Sequence, residues 1–191
     1  RLVGSPRESG QATCINLNSM LYYISSMKQI AVSGSAIEGK GIFAAEDIRK
    51  GEIIQRIEGE RIKRELKSEK ESKKFANWIG LGKNLWLNPN KTKFRYLNHS
   101  CNPTEAIIRS RTLVALSDLE EGEEVTFDYS LTDIDPHWSM VCHCGAPNCR
   151  KLITPLYSIP PEVFKNHYPN IPPFFQRAYF KNYIESKATG Q

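Results

Sequence analysis

Three thiols stand close together late in the chain, in Cys142-His143-Cys144-Gly145-Ala146-Pro147-Asn148-Cys149, spaced C-x-C-x4-C. Gly145 and Pro147 supply the sharp turns that aim such side chains at one point. Thiolates so arranged suit zinc, whose structural sites are tetrahedral and closed by four ligands. Three cysteines leave one position to fill. Cys14, in a poor context, His143, within the cluster, and Cys101 are the candidates, and the residue types alone do not choose among them. The total of five cysteines is odd and three are grouped, which argues against a secreted disulfide scaffold and for an intracellular metal site.

The second concentration of chemistry is Arg95-Tyr96-Leu97-Asn98-His99-Ser100-Cys101-Asn102-Pro103, which packs an aromatic, an amide, an imidazole, a hydroxyl and a thiol into nine residues. Turn formers at Asn98, Ser100, Asn102 and Pro103 make its backbone irregular, more site than scaffold. Read alone, it is equally a polar turn with an incidental cysteine. A third feature, Gly39-Lys40-Gly41 before the strand-like Ile42-Phe43-Ala44-Ala45, lets backbone approach a ligand closely because glycine has no Cβ. It lacks the third glycine and the following helix of a dinucleotide fingerprint, so a tight turn is its simplest reading.

The elements that must position these groups are short. Gln29 to Val32, Glu52 to Ile57, and Val125-Thr126-Phe127-Asp128-Tyr129 read as strands. Glu105–Arg109 and Thr112–Leu116 form a hairpin turning at Ser110, and Phe75 to Pro89, with Trp78 and Trp86, fits short strands broken by Gly80 and Gly82. Glu58 to Lys74 reads as a charged surface helix or mobile insert, with Ile62 and Leu66 as its apolar i, i+4 pair and Glu69 facing Lys73. The fold class is mainly β (α+β). Residues 1–28 form a flexible lead, 29–130 the central domain, 138–153 the cysteine segment and 154–191 a tail. Between Pro155 and Tyr183 that tail carries six of the eleven prolines and eight of the sixteen Phe and Tyr residues. A tail so apolar must pack on its domain or on a partner, which makes it a surface for homodimerisation, and Phe174 to Glu185 has helical spacing.

At 191 residues the chain can bury a real core. Its net charge of +5 is spread through alternating lysines and glutamates rather than gathered in a patch, so direct nucleic-acid binding is not expected. No apolar run approaches the roughly 18 residues of a membrane span.

Four motifs in order resemble a SET-domain protein lysine methyltransferase with a cysteine-bearing post-SET tail: Gly39-Lys40-Gly41, the stretch Arg95–Pro103, Gly122-Glu123-Glu124-Val125-Thr126-Phe127-Asp128-Tyr129, and Cys142-x-Cys144-x4-Cys149. The match spans about residues 29–153. The resemblance implies a fold of small curved β-sheets with a pseudoknot, in which the Asn-His-Ser segment lies under a loop near the Phe-Asp-Tyr strand. It implies one zinc ion held by Cys101, Cys142, Cys144 and Cys149, and S-adenosylmethionine as methyl donor. Gly39, Lys40 and Gly41 would take the donor's methionine end, Arg95, Asn98 and His99 its remainder, and Leu152 would pack on the adenine. Asn98, His99 and Tyr129 would be the catalytic residues, with Phe127, Tyr129 and Trp78 along the substrate channel. Phe127 stands where a Phe/Tyr choice in the family influences methylation number and implies addition of more than one methyl. The chain departs from the family at Ile57, where a tyrosine is usual, so the polarity of its lysine channel differs.

The implied function is S-adenosylmethionine-dependent protein-lysine N-methylation of a histone or another basic protein tail. The implied location is intracellular: nuclear in a eukaryote, otherwise cytoplasmic or as a bacterial effector. The rival is a catalytically inactive SET-like module that binds partners through its aromatic tail.

Overall fold

The computed structural model describes residues 27–189; Cys14 and most of the expected N-terminal lead lie outside them. Twelve short strands are defined in this region: β1 (Ile30–Gly34), β2 (Lys40–Ala44), β3 (Ile53–Arg56), β4 (Glu60–Lys63), β5 (Ile79–Gly82), β6 (Leu85–Asn88), β7 (Asn98–His99), β8 (Glu105–Ile108), β9 (Thr112–Ala115), β10 (Glu124–Phe127), β11 (Met140–Val141) and β12 (Leu152–Ile153). The helices are α1 (Glu69–Lys74), α2 (Pro161–His167) and α3 (Pro173–Thr189). The strands form four small sheets, in the orders β1-β2-β10-β7, β3-β9-β8, β4-β6-β5 and β11-β12. This is the mainly β architecture of small sheets that the sequence implied.

One core lies between the first three sheets. Ile42, Ile54, Ile57, Leu87, Leu113 and Val125 are fully buried in it, and Phe94, Leu97 and Phe127 nearly so. Each such side chain contributes roughly 1.5–3 kcal/mol of burial. Ile57, at the position where the family's tyrosine was expected, is therefore a core residue.

Two sequence expectations change. Glu60–Lys63 is a strand, not part of a helix: it pairs with β6, placing Ile62 opposite Trp86, and only Glu69–Lys74 is helical. The β6 ladder offers Ile62 an aromatic partner, which outweighs a weak helical pattern with one apolar pair. The Glu69–Lys73 ion pair forms as expected, at 2.5 Å. Tyr129, expected at the end of a strand, stands instead in a 3₁₀ turn, Tyr129–Thr132. Asp128 causes this by leaving β10 and accepting the Ser130 N–H at 3.1 Å, a local side-chain cap that competes with the ladder.

That turn rests on β5 at Gly80. A Cβ there would stand 1.9 Å from the Thr132 carbonyl oxygen and 3.1 Å from the Phe175 ring, so only glycine lets sheet, turn and α3 meet. The C-terminal extension packs in cis: Leu156, Ile159, Phe164, Ile171, Phe175 and Tyr179 cover Leu131 of the same turn. Phe180, Tyr183 and Ile184 of α3 stay exposed.

Candidate active site and metal centre

β7 delivers Asn98 and His99 to the centre by pairing in parallel with β10, Asn98 beside Thr126 and His99 beside Phe127. The Asn98 amide then donates to the Lys40 carbonyl at 3.0 Å and to Glu124 Oε1 at 2.8 Å. Ser35 Oγ donates to the same carboxylate at 2.9 Å. A Cβ at position 41 would fall 2.1 Å from Glu124 Oε1, which explains the second glycine of Gly39-Lys40-Gly41: it makes room for this half-buried network. Ser35 was not singled out from sequence, and Glu124 entered only as part of the Gly122–Tyr129 motif, with no role assigned.

His99 links this network to the cysteines. Its Nδ1 accepts the Tyr129 N–H at 3.2 Å, and its Nε2 lies 3.3 Å from Cys101 Sγ. Those two contacts select the Nε2–H tautomer, donating to sulfur. Burial pushes the imidazole down to about 4, despite Asp128 Oδ1 at 3.6 Å from Nδ1. His99 is thus a neutral donor to a thiol, and the Asp128 contact is not a charged pair.

The four sulfurs converge. Cys101 Sγ stands 3.8 Å from Cys142 Sγ, and Cys142 and Cys144 both interact with Cys149 through their side chains. Ligand atoms of His99, Cys101, Cys142 and Cys144 lie within 4.8 Å of one another. His99 Nε2 and Cys149, which contacts Cys142 and Cys144, are the two candidates for the fourth ligand of a metal ion held here. Backbone N–H groups support the sulfurs: Arg150 N–H donates to Cys101 Sγ at 3.3 Å and Cys101 N–H to Cys144 Sγ at 3.5 Å. The cysteine segment is also tied to the central sheet by charge. The Arg150 guanidinium grips the fully buried Asp128 carboxylate through two bonds of 2.6 and 2.7 Å. Sequence reasoning passed over this pair, although an Arg directly after the last cysteine and an Asp within Phe-Asp-Tyr were the available signals.

Two cavities meet at Tyr129. One, about 80 Å³, is lined by Ile37, Glu38, Asn98, His99, Met140 and Ile153. The other, about 30 Å³, is lined by Trp78, Arg95, Leu97, Phe127, Asp133 and Trp138. Tyr129 is the one residue lining both. The neighbours Leu97 and Asn98 part ways, one to each cavity, as alternation along an extended backbone requires. The Tyr129 hydroxyl donates to the Leu97 carbonyl at 2.7 Å, and burial pushes the phenol well above its usual range. It stays protonated, a positioned dipole rather than a base. Phe127 leans on its ring at 4.8 Å between centroids.

Of the residues expected at the site, Asn98, His99, Tyr129, Phe127, Trp78, Cys101 and the three late-chain cysteines do gather around this centre. Lys40 borders it through the Asn98 bond and Gly41 through its close approach to Glu124, while Gly39 makes no such contact. Arg95 does not join Asn98 and His99; it lines the Trp78 cavity, its guanidinium 5.2 Å from the Tyr96 ring. Leu152 is half exposed opposite Val141 in β11-β12, and the buried Ile153 lines the cavity instead. Asp133 was missed because nothing in Leu131 to Met140 distinguishes it from a polar loop. Burial raises its carboxyl to about 7.

The sequence pattern of the SET domain matches residues 39–130. The chain is 30% identical over 175 residues to the Drosophila melanogaster histone-lysine N-methyltransferase trr, 79% of this chain and 7% of the relative. It is 32% identical over 139 residues to the Saccharomyces cerevisiae histone-lysine N-methyltransferase, H3 lysine-4 specific, 64% of this chain and 13% of the relative. The chain thus spans under a seventh of the length of these relatives. It is also similar to a structure of ctPRC2 in an autoinhibited conformation bound to S-adenosylmethionine, with 25% identity and a TM-score of 0.46 over 57% of this chain and 16% of the other. Residues 39–130 of this chain are a SET domain, with histone-lysine N-methyltransferases among its homologues.

Proposed function

We propose that the chain is an S-adenosylmethionine-dependent protein-lysine N-methyltransferase acting on a histone or another basic protein tail, with residues 29–130 as its SET domain and 138–153 as its post-SET segment. The observation that carries this is Tyr129 standing as the shared wall of two otherwise separate cavities. A group-transfer site needs that arrangement when donor and acceptor approach from different sides. The Asn98–His99 cavity takes the donor, and the Trp78–Phe127 cavity takes the lysine.

When bound, S-adenosylmethionine supplies a methyl group on a sulfonium, open to in-line displacement by an amine. At about 80 Å³ the cavity of Asn98 and His99 encloses only part of such a ligand. The Glu38 and Lys40 carbonyls and the Glu124 carboxylate around the Asn98 amide form an acceptor-rich corner suited to an ammonium group.

On the other side the lysine amine must arrive neutral, although its reference pKa is about 10.4. A 30 Å³ slot walled by Trp78, Phe127 and Trp138 strips its water and disfavours the ammonium form. With its proton engaged by the Leu97 carbonyl, the Tyr129 oxygen keeps its lone pairs for the amine's N–H or for charge on the methyl. Holding the reactants in line supplies much of the remaining acceleration.

The four cysteines suit zinc. A Zn–S bond of about 2.3 Å gives a tetrahedral edge of about 3.8 Å, the separation of Cys101 and Cys142. The ion's role is structural, holding the cysteine segment against β7 and β10.

Transfer of labelled methyl from S-adenosylmethionine to a histone mixture, run beside Tyr129→Phe, tests the proposal. Transfer by the parent chain and its near-loss in the variant support it. No transfer by the parent leaves the SET-like binding module instead. For such an enzyme a chromatin location in a eukaryotic cell follows; among the described residues no helix is long and apolar enough to cross a membrane.

A further inference from the structure

Along the chain basic and acidic residues alternate, but folding gathers one set of arginines on a face that borders neither cavity at Tyr129. Strand β3 ends at Arg56, which stands opposite Thr112 at the start of β9. The Ile57 N–H then donates to the Arg111 carbonyl at 2.8 Å, which fixes the end of β3 against the β8-β9 hairpin. Arg109 stands on the other side of that hairpin's tip, and Arg61 follows on β4. Arg56, Arg61 and Arg109 are exposed and Arg111 is half-buried. A positive face repels a basic protein tail, so this is no seat for such a substrate.

Two features set the face apart. The first is charge without a counter-charge. Among the described residues none of the four arginine side chains makes an ion pair, although Glu58 and Glu60 lie between Arg56 and Arg61 in the chain. Burial, and then the positive charges of Arg56 and Arg61, hold the Arg111 guanidinium below its usual range. Like charges brought together on a sheet destabilise it. The second feature is backbone strain at the tip. Arg109 and Ser110 have φ of 47° and 78°, a left-handed conformation that residues with a Cβ disfavour. Both costs fall in one place, and an anion bound there offsets the first.

Guanidinium groups suit carboxylate and phosphate alike, so the surroundings must choose. The exposed large apolar side chains of the described residues lie on β1, on β11 and β12 and in the C-terminal extension; none lies on β3, β4, β8 or β9. The face therefore lacks the apolar centre of a protein interface. These four strands and the hairpin tip contain no Phe, Tyr or Trp, so they offer no platform on which unpaired bases could stack. The chemistry that remains is sequence-independent contact with the phosphates of a duplex.

We propose that Arg56, Arg61, Arg109 and Arg111 form a binding surface for the phosphate backbone of duplex DNA. It does not rest on the methyltransferase proposal. It departs from the expectation drawn from charge along the sequence, because arginines far apart in the chain meet across the β3-β9 ladder.

The test is fluorescence anisotropy of a labelled duplex of about 20 base pairs, titrated with the intact, metal-bound chain between roughly 50 and 200 mM salt. The logarithm of affinity is expected to fall with the logarithm of salt at a slope of about −3 or steeper, near −0.9 for each phosphate neutralised. Arg56→Gln/Arg61→Gln/Arg111→Gln is expected to bind at least about 10-fold more weakly at the low-salt end, with a slope smaller by about 2–3. Arg56→Gln/Arg61→Gln, which touches exposed side chains alone, should show an intermediate loss and keeps the test sound if the triple variant does not fold. Lys50→Gln/Lys70→Gln/Lys165→Gln removes the same charge from exposed sites elsewhere and should lose less than about threefold. Absence of salt-sensitive DNA binding by the parent overturns the inference. So does an equal loss in the lysine variant, which would assign the binding to net charge. Tighter binding of polyglutamate than of DNA also overturns it, by making the face a seat for an acidic protein.

Discussion

The two cavities at Tyr129 are built in opposite ways. The Asn98–His99 side is hydrogen-bonded and local: one stretch, Asn98 to Cys101, meets both Lys40 and the cysteine segment, so a few residues carry its connections. The Trp78 side is dispersed, drawing on residues 76–79, 94–97, 127–133 and Trp138, which only the packed fold brings together. A small hydrogen-bonded set fails as a unit when one member is lost. A cavity of packed side chains fails by degrees.

The largest effect should follow from breaking the tie between the cysteine segment and β10. Arg150→Ala leaves the buried Asp128 carboxylate without its cation, at a cost of about 3–5 kcal/mol. Denaturant unfolding of the metal-bound chain measures it. A cost below about 1 kcal/mol would mean that the polar side is not one unit.

On the dispersed side, Asp133 provides a pH signature. Burial raises its folded carboxyl to about 7, whereas the unfolded group titrates near 3.9. The folded chain therefore binds the extra proton between those values, and this group's contribution to stability is full below about pH 4 and lost as pH rises through about 7. Asp133→Asn should match the parent in acid and exceed it above neutrality by up to about 4 kcal/mol. Parallel stability curves from pH 4 to 8 would show that the carboxyl is not held in an apolar wall.

At the junction, Tyr129→Phe removes one hydroxyl. Stability should fall by about 1 kcal/mol, the worth of its bond to the Leu97 carbonyl, while kcat falls by about 100-fold. A variant with normal kcat would separate the junction from the chemistry. The smallest effect concerns Leu152, half exposed outside the cavity. Leu152→Ala should change donor affinity by less than about threefold, whereas Ile153→Ala, which empties a buried site, should cost about 2–5 kcal/mol of stability. A large loss of donor affinity in Leu152→Ala would restore the role that the family resemblance gave it.

The same contrast governs what could be read from the sequence. The cysteine spacing and the Asn98–His99–Cys101 stretch announced themselves because their chemistry sits in short motifs. The hairpin of Glu105–Ile108 and Thr112–Ala115 was legible from two apolar runs about a turn at Ser110. Arg95, expected beside Asn98 and His99, lines the Trp78 cavity, because a motif gives neighbours in sequence, not which face of the backbone each one serves. Ile62 was given to a helix because its strand partner Trp86 lies 24 residues on. Asp133 carries no local mark; its buried place beside Trp78 and Trp138 is supplied by folding.

The central claim is that one stretch serves both the donor cavity and the metal centre, with His99 as the link. Zinc content by elemental analysis and S-adenosylmethionine affinity by calorimetry, measured on the same preparation of Cys101→Ser, address it most directly. The account predicts that this variant loses its zinc and binds the donor at least 10-fold more weakly. Zinc lost with donor affinity unchanged within twofold, or zinc fully retained, would contradict it.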